Sequence, residues 1–545
     1  MGAPRPALIV GLAALLFLAP SLLVGTHVTH SSPQNLTWAA QFSEQFRAGI
    51  LYPRWMPSSF DGLGGPNFYF YPPLAFWIDA LASVVTANLL PLSYRLAVSS
   101  ALILFASGLA MHAWLKVETQ SPRVALWGAI AYMAAPYHLL DHYMRGAMAE
   151  FTAYAALPVV MLGIRSIASG RRGGPPILAL GYAALVASHL PTALLASGTI
   201  IPAYVLFRTR SWGALWRSAA AGALGLGLAA VYLLPALTLQ EWISADAWWV
   251  PLYDPRNWLL LWPQRWAAEP QLMSSIAFLA AGIALIAVGL GVVWRRLPAS
   301  DPGRSELAFW IAASLGCLAL MAGVVPWIWQ ISVLARVQFP WRLMSLVEFA
   351  IITAFCVAPL DRLDRGVRFV FVAAAVVIMP AIVLIGTNAV ARFAITLSGQ
   401  PLDQRDVKPN QPSGFPQDPR TGYDELGLGP LAKIAAIDCT PAASICTAQA
   451  DRFGAMQLRI ESTQPTTVVL RRFFFPAWRL EPELPLLASD PFKLVSFTAP
   501  AGKHAFRLVR HTLPVELWGW WLSGLSLALL LVWSAAAVTA RRRAA

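Results

Sequence analysis

Apolar stretches of about 20 residues recur from one end of this chain to the other, and they narrow its possible folds more than any other feature. In a helix rising 1.5 Å per residue, about 20 residues cover the roughly 30 Å hydrocarbon core of a bilayer. Only 12% of the 545 residues are Asp, Glu, Lys or Arg, against about 25% in an average soluble chain. Mean hydropathy is +0.58. So few charges cannot coat a water-facing globule, which excludes a soluble multidomain enzyme. The sequence reads as a mainly α, polytopic membrane protein with about 11–13 transmembrane helices and a small external β-sandwich before the last one.

Forty Lys and Arg against 27 Asp and Glu give a net charge of +13. In a soluble protein that excess would suggest nucleic acid. Here its placement suggests the lipid bilayer instead, and no nucleic-acid partner is expected. Arg-rich segments at 116–123, 164–174, 208–217, 295–304 and 361–368, with the run at 541–543, read as cytoplasmic loops. The alternate connections, 26–72, 137–150, 188–192, 239–272 and 325–342, hold few cations and many aromatic, Gly and Pro residues, and read as external. Both termini are then cytoplasmic. The chain divides into a helical domain over 1–387, an external mainly-β domain over 388–513, and a transmembrane helix with a cytoplasmic tail over 514–545. The opening apolar run, about residues 7–25, is long enough to span and reads as an uncleaved first helix rather than a signal peptide.

One passage resists the count. Residues 73–115 hold apolar length for two crossings where the charge phase demands an odd number. Either 73–91 lies in the interface or re-enters, or the phase of the 116–123 loop is misread. The external domain has a different texture, with short β-type runs (AMQLRI, TTVVLRRFFF, KLVSFTA, HAFRLVR) between Pro and Gly turns. Residues 400–430 read as an irregular lead-in loop. Cys439 and Cys446, in CTPAASIC, fall in this domain and can bridge in an oxidising compartment. Cys317 and Cys356 lie in apolar runs.

The chemistry concentrates on the external side. In the first loop, Trp38, Phe42 and Phe46 share one side of an amphipathic helix, and DGLGGPNFYFYPPL makes a tight turn and an aromatic return. Arg54, Asp61 and Tyr71 stand there as candidate site residues, against interface anchoring for the aromatics and turn-capping for Asp61. The segment PYHLLDHYMRGAMAE packs His138, Asp141, His142, Arg145 and Glu150 between two apolar helices, the densest chemical signal in the chain. On a helix His138 and His142 share a face, as do Asp141 and Arg145, which would also serve as a simple ion pair. Asp141 with His138 would begin a site for a divalent metal ion, but the spacing supplies no third ligand. Arg145 suits a phosphate or polar headgroup. His189, in SHLPT, is either a cap or a functional group. The tryptophan-rich loop over 239–272 and Arg342 of QFPWR have the makings of a sugar, isoprenoid and phosphate surface, or of an interface anchor. Glu348, inside the next helix, needs a partner such as Arg342 or a wet cavity. No P-loop, H-E-x-x-H, G-x-S-x-G or dinucleotide fingerprint occurs. Asn35-Leu36-Thr37 matches a glycosylation acceptor, a pattern too short to weigh.

Four motifs in order, AGILYPRWMPSSFDGLGGPNFYFYPPLAFW, APYHLLDHYMRGAMAEF, QFPWRL, and FFFPAW followed by PAGKH, resemble the bacterial 6-pyruvoyl-tetrahydropterin synthase-related integral membrane proteins. These in turn look like type C glycosyltransferases, polytopic enzymes that take a sugar from a polyprenyl-phosphate carrier on the external face. The soluble zinc enzyme in the family name is not recognisable in this chain. The resemblance implies a multi-pass protein of the bacterial cytoplasmic (inner) membrane. Its partners would be a polyprenyl-phosphate sugar donor and a lipid or glycan acceptor. It implies Asp141 as the acid of the second external loop; the clustering of charge and aromatics on the external side adds Glu150 as a second catalytic candidate and Arg54, Tyr71, His142, Arg145, His189 and Arg342 as candidates for binding substrate. In relatives an Asp, with a His four residues on, stands in the first loop; here those positions are Ser31 and Asn35, and neither can act as a base. Either Glu44 or Asp61 takes that role, or the first-loop acid is dispensable, or transfer has been lost and the fold kept. The leading expectation is a glycosyltransferase-like protein that modifies a lipid or cell-envelope glycan. A catalytically inactive glycan-binding or scaffold protein is the alternative, and a secondary transporter a third, resting on Glu348 alone.

Overall fold

The structure, a computed structural model, describes residues 6–542 apart from 250–252, 263–265, 302, 360–363, 399–405, 417–426, 430, 432–433 and 442–443. Most of the lead-in loop read over 400–430 therefore lies outside the described residues. Among these, eight helices are long and apolar enough to cross a membrane: Leu92–Thr119, Met148–Ala168, Leu190–Arg208, Pro270–Arg296, Gly303–Ala322, Pro340–Val357, Arg365–Leu397 and Pro514–Ala536. The pair Trp212–Leu228 and Ala230–Thr238, bent by 72°, makes a ninth span if taken together. Shorter apolar helices, Pro6–Phe17, Leu74–Val85 and Gly174–Ser188, accompany them. The protein is a multi-pass helical membrane protein in which full-length spans alternate with shorter apolar helices.

Connections sort to two ends. At one end the first loop meets the β-domain, the 137–150 segment and the tryptophan-rich loop: Asp61 pairs with Arg471 at 2.5 Å, the His30 amide donates to the Met144 carbonyl and the His30 ring faces Glu269, while Ser244 Oγ donates to the Pro412 carbonyl ahead of β1. At the other end Arg165 pairs with Glu118 at 3.2 Å, Arg208 with Glu306, and Arg296 with Asp364 at 2.8 Å. This sorting resolves the odd count. Helix Leu92–Thr119 begins at the β-domain end, where Thr26 Oγ1 donates to the Ser93 carbonyl and Arg95 donates to Ser43 Oγ. Helix Leu74–Val85 also has both ends there, after Tyr71 packed on Trp38 and before Asn88, which accepts from Arg47 and Arg95. It does not cross. Its buried Asp79 takes a two-pronged bond from Arg95 at 3.0 Å, which pins the helix to its neighbour.

The β-domain is a sandwich of two four-stranded antiparallel sheets, ordered β1-β4-β7-β6 and β2-β3-β8-β5. The strands are β1 Ile437–Thr440, β2 Ile445–Ala450, β3 Met456–Ser462, β4 Thr466–Phe473, β5 Trp478–Glu481, β6 Leu487–Ser489, β7 Leu494–Ala499 and β8 Gly502–Arg510. Alternation does the work: in β3, Met456, Leu458 and Ile460 face the core while Gln457, Arg459 and Glu461 face out. A disulfide, Cys439–Cys446, ties β1 of one sheet to β2 of the other. The first loop is tied through buried charge to the last helix and to the stretch that precedes β1. Arg54 Nε meets Glu516 at 2.9 Å, Tyr69 OH donates to the same carboxylate, and Asp406 accepts from Trp38 Nε1 and the Phe60 amide.

Candidate functional site

The segment Pro136–Leu140 is a short helix that widens over Asp141–Arg145 into a π-helical turn. Such turns displace side chains from the regular helical face and are common at functional sites. Gly146 ends it at φ 61, and a Cβ there would strike Thr29, so only glycine lets the first loop close over the turn. The closure is hydrogen-bonded: Asn35 Nδ2 donates to the Gly146 carbonyl at 2.7 Å, and the Ser31 amide to the Arg145 carbonyl at 2.9 Å. Ser31 and Asn35 thus join the first loop to the second.

Arg145 is the hub. Its Nη1 donates to Tyr137 OH at 3.0 Å, Asp141 Oδ1 at 2.5 Å and Glu150 Oε2 at 2.7 Å. Those bonds leave Nε and Nη2, the fork's other side, unspent. Tyr137 OH in turn donates to Glu150 Oε1 at 2.8 Å. Arg342 approaches the same Glu150 oxygen at 3.6 Å, its Nε buried without a hydrogen-bond partner while Nη1 donates to the Val337 carbonyl. Two guanidinium groups therefore converge on one carboxylate at the end of the spans. Asp141 is completely buried and its Oδ2 has no partner. Burial and the nearby Glu150 charge push its carboxyl well above the usual range, against the pull of Arg145.

Tyr71 and His189 face this cluster. Burial pushes the Tyr71 phenol up to about 12, with the charges of Arg342 and Arg145 opposing. His189, whose Nδ1 lies 2.8 Å from Thr192 Oγ1, is lowered to about 3 by burial, with Arg342 and Arg145 adding to the effect and Glu150 opposing it. His142 faces elsewhere, 2.8 Å from Ser21 Oγ of the first helical segment. Arg54 is also apart, locked between Glu516 and the Val231 carbonyl beneath the β-domain. Glu348 does not pair with Arg342. It accepts from the Tyr137 and His138 amides at 2.7 and 3.3 Å and from Tyr154 OH at 3.0 Å, so it caps the short helix whose free amides need an acceptor.

The metal suggestion at Asp141 and His138 does not fit these surroundings. Asp141 is engaged with Arg145, and His138 stacks on Tyr154 at 3.8 Å with Nδ1 on the Tyr132 carbonyl. No three His, Cys, Asp or Glu side chains converge among the described residues. Of the two acids weighed for the first loop, Glu44 lies 3.9 Å from Arg452 at the β-domain rim and Asp61 is held by Arg471. The pair that sequence reasoning missed is His30 and Glu269, 3.6 Å apart beside the π-turn. Only the density of charge around the 137–150 segment hinted at a gathering point, and it gave no sign of which distant residue would arrive.

No known family's sequence profile matches the chain, so the pterin-synthase-related membrane family is not established for it. No curated protein is detectably similar in sequence. Two solved structures of the arabinofuranosyltransferase AftD from Mycobacteria, one of them a mutant, align with 72% of this chain at 16% identity, with TM-scores of 0.44 and 0.43. The alignment covers 28% and 27% of those chains, so this protein spans little more than a quarter of their length.

Proposed function

We propose that the protein is an integral membrane glycosyltransferase that draws a sugar from a polyprenyl-phosphate carrier and passes it to a lipid or cell-envelope glycan. The observation that carries this is the convergence of Arg145 and Arg342 on Glu150, with guanidinium donors still unspent at the membrane end. A phosphate at that depth needs desolvated, forked donors, which two arginines supply better than lysines. Asp141 and Glu150 both hold Arg145 through Nη1, which leaves the Nε–Nη2 edge of its fork for the phosphate. Tyr71 and His189 border the sugar. Phe339, half-buried beside the Arg342 guanidinium and backed by the buried Trp341, stacked on it at 4.4 Å, gives the isoprenoid an aromatic contact next to Arg342. The β-domain end is external in this reading, supported by the Arg-rich opposite end and by a disulfide that an oxidising compartment maintains.

The test uses the full chain in lipid nanodiscs with undecaprenyl phosphate as probe. Binding is expected, and Arg342→Lys, which keeps the charge but loses the fork, should weaken it about tenfold, or some 1.4 kcal/mol. Undecaprenyl phosphate that fails to bind, or binds equally to Arg342→Lys, overturns the assignment.

A further inference from the structure

Sugar transfer to a hydroxyl needs a group that removes the hydroxyl proton, and the carboxylates of the arginine cluster are poorly placed for it. Asp141, Glu150 and Glu348 are buried and committed to Arg145, Tyr137 and backbone amides. Asp79, Asp406 and Glu516 are likewise buried in structural bonds to Arg95, Trp38 and Arg54. Asp254 is tied to Arg256 at 2.6 Å. Glu269 differs on each count. It sits just ahead of helix Pro270–Arg296 with 43% of its side chain open, and its Oε2 faces His30 Nε2 at 3.6 Å. His30 is fixed beside the arginine hub by its own backbone, its amide donating to the Met144 carbonyl and the next amide to that of Arg145.

We infer that Glu269, paired with His30, is the general base of this site, taking the proton of the acceptor hydroxyl. The inference rests on the transferase reading above. The acceptor O–H proton moves to the Glu269 carboxylate, directly or through the His30 ring, as the acceptor oxygen bonds the anomeric carbon of the donor. The anomeric C–O bond to phosphate breaks, and its electron pair leaves on a phosphate oxygen held by Arg145 and Arg342. No co-reactant is needed.

Electrostatics support the pairing. Glu269 is pushed up by partial burial, against the pull of Arg392, and His30 is pushed down by burial and by the charges of Arg392 and Arg145. Arg392 is held in place by Asn388 Oδ1 at 2.6 Å, and Asn388 by Gln271. A carboxylate raised and an imidazole lowered approach each other in proton affinity, so a proton passes between them at small cost.

The test uses full-length protein in nanodiscs, a panel of undecaprenyl-phosphate-linked pentoses and hexoses, and octyl glycosides as acceptors. Glu269→Gln is expected to lower kcat about 100-fold or more, abolish the acidic limb of the pH profile, and leave undecaprenyl phosphate binding unchanged. Glu269→Asp should recover part of the rate, and His30→Gln should move the limb. Turnover by Glu269→Gln within about threefold of wild type, with the same limb, overturns the inference. So does wild-type protein that binds undecaprenyl phosphate yet transfers no sugar, a result that leaves the phosphate site standing. Failure to bind undecaprenyl phosphate at all overturns the transferase reading and this inference with it.

Discussion

At the scale of single residues, ion pairs of similar appearance carry very different weight. Asp61 and Arg471 pair at 2.5 Å, but the Asp61 side chain is 69% open, so solvent screens the pair and its loss should cost less than about 1 kcal/mol. Arg54 and Glu516 are both buried, and Arg54→Met leaves the Glu516 carboxylate with Tyr69 OH, the Leu513 amide and Arg510 at 3.8 Å as its remaining partners. That should cost on the order of 3 kcal/mol, because the buried carboxylate keeps its desolvation penalty and loses its near charge partner. Thermal unfolding of Asp61→Asn and Arg54→Met in nanodiscs checks the contrast, and equal shifts would refute it. The histidines make a second case. His27 is lowered to about 4, and His138, His142 and His189 to about 3, in each case chiefly by burial. They are neutral in the folded protein, whereas in the unfolded chain they bind protons near pH 6.5. Between that pH and about 4 the unfolded chain therefore holds more protons, and stability falls as pH falls through the window. The unfolding temperature should drop between pH 7 and 4.5, and drop less in His27→Gln; a flat profile would contradict this.

At the scale of elements, what the sequence discloses is what periodicity and local density carry. The strands of the sandwich were legible because apolar and polar residues alternate along single runs such as AMQLRI. The crowding of His138, Asp141, His142, Arg145 and Glu150 marks the segment for the same reason, since all five lie close together in sequence, but not its widening into a π-turn. Pairings through space were not legible. From sequence Glu348 needs a partner such as Arg342 or a wet cavity, but the free amides of a short helix from another part of the chain claim it. Helix Leu74–Val85 has the apolar length of part of a span, and its bonds through space to Arg95 and Arg47 reveal that it stays at one end. Two elements offer tests. Gly146→Ala forces a side chain onto Thr29 at a left-handed position, so it should open the seam between the first loop and the π-turn. It is expected to weaken undecaprenyl phosphate binding and lower the unfolding temperature, and unchanged values for both would show that the seam does not shape the site. Asp406 joins the stretch before the β-domain to Trp38 and Phe60. Asp406→Ala should leave the sandwich folded on its own core and disulfide but speed limited proteolysis between residues 398 and 436; an unchanged cleavage rate would argue against that tether.

For the whole molecule, the separation of its two ends joins fold to function, because a carrier phosphate and the base that serves it must meet on the same side of the membrane. The loops that hold Arg145, Arg342, His30 and Glu269 all lie at the β-domain end, while Glu118–Arg165, Arg208–Glu306 and Arg296–Asp364 close the other. Excess Lys and Arg in short loops favour the cytoplasmic side, so under the proposed function the Arg-rich end is inside and the cluster outside. The two readings of residues 73–115 separate on this point. If 74–91 crosses, Leu51 and Leu89 stand on opposite sides; if it turns back, as its bonds to Arg47 and Arg95 require, they stand together. Both side chains are exposed, as is Ser300 at the Arg-rich end, whereas Cys317 is buried and Cys439 and Cys446 are bonded to each other. With Cys356, the half-buried one of the two free thiols, replaced by Ser, single added cysteines at these three positions can be probed in sealed cells with an impermeant maleimide. Leu51→Cys and Leu89→Cys should label from outside and Ser300→Cys only after lysis. Labelling of Leu51→Cys and Leu89→Cys from opposite sides would restore the crossing and shift the phase of every later loop. It would put Arg145 and Arg342 on the wrong face for an external carrier, so this one experiment bears on fold and function together.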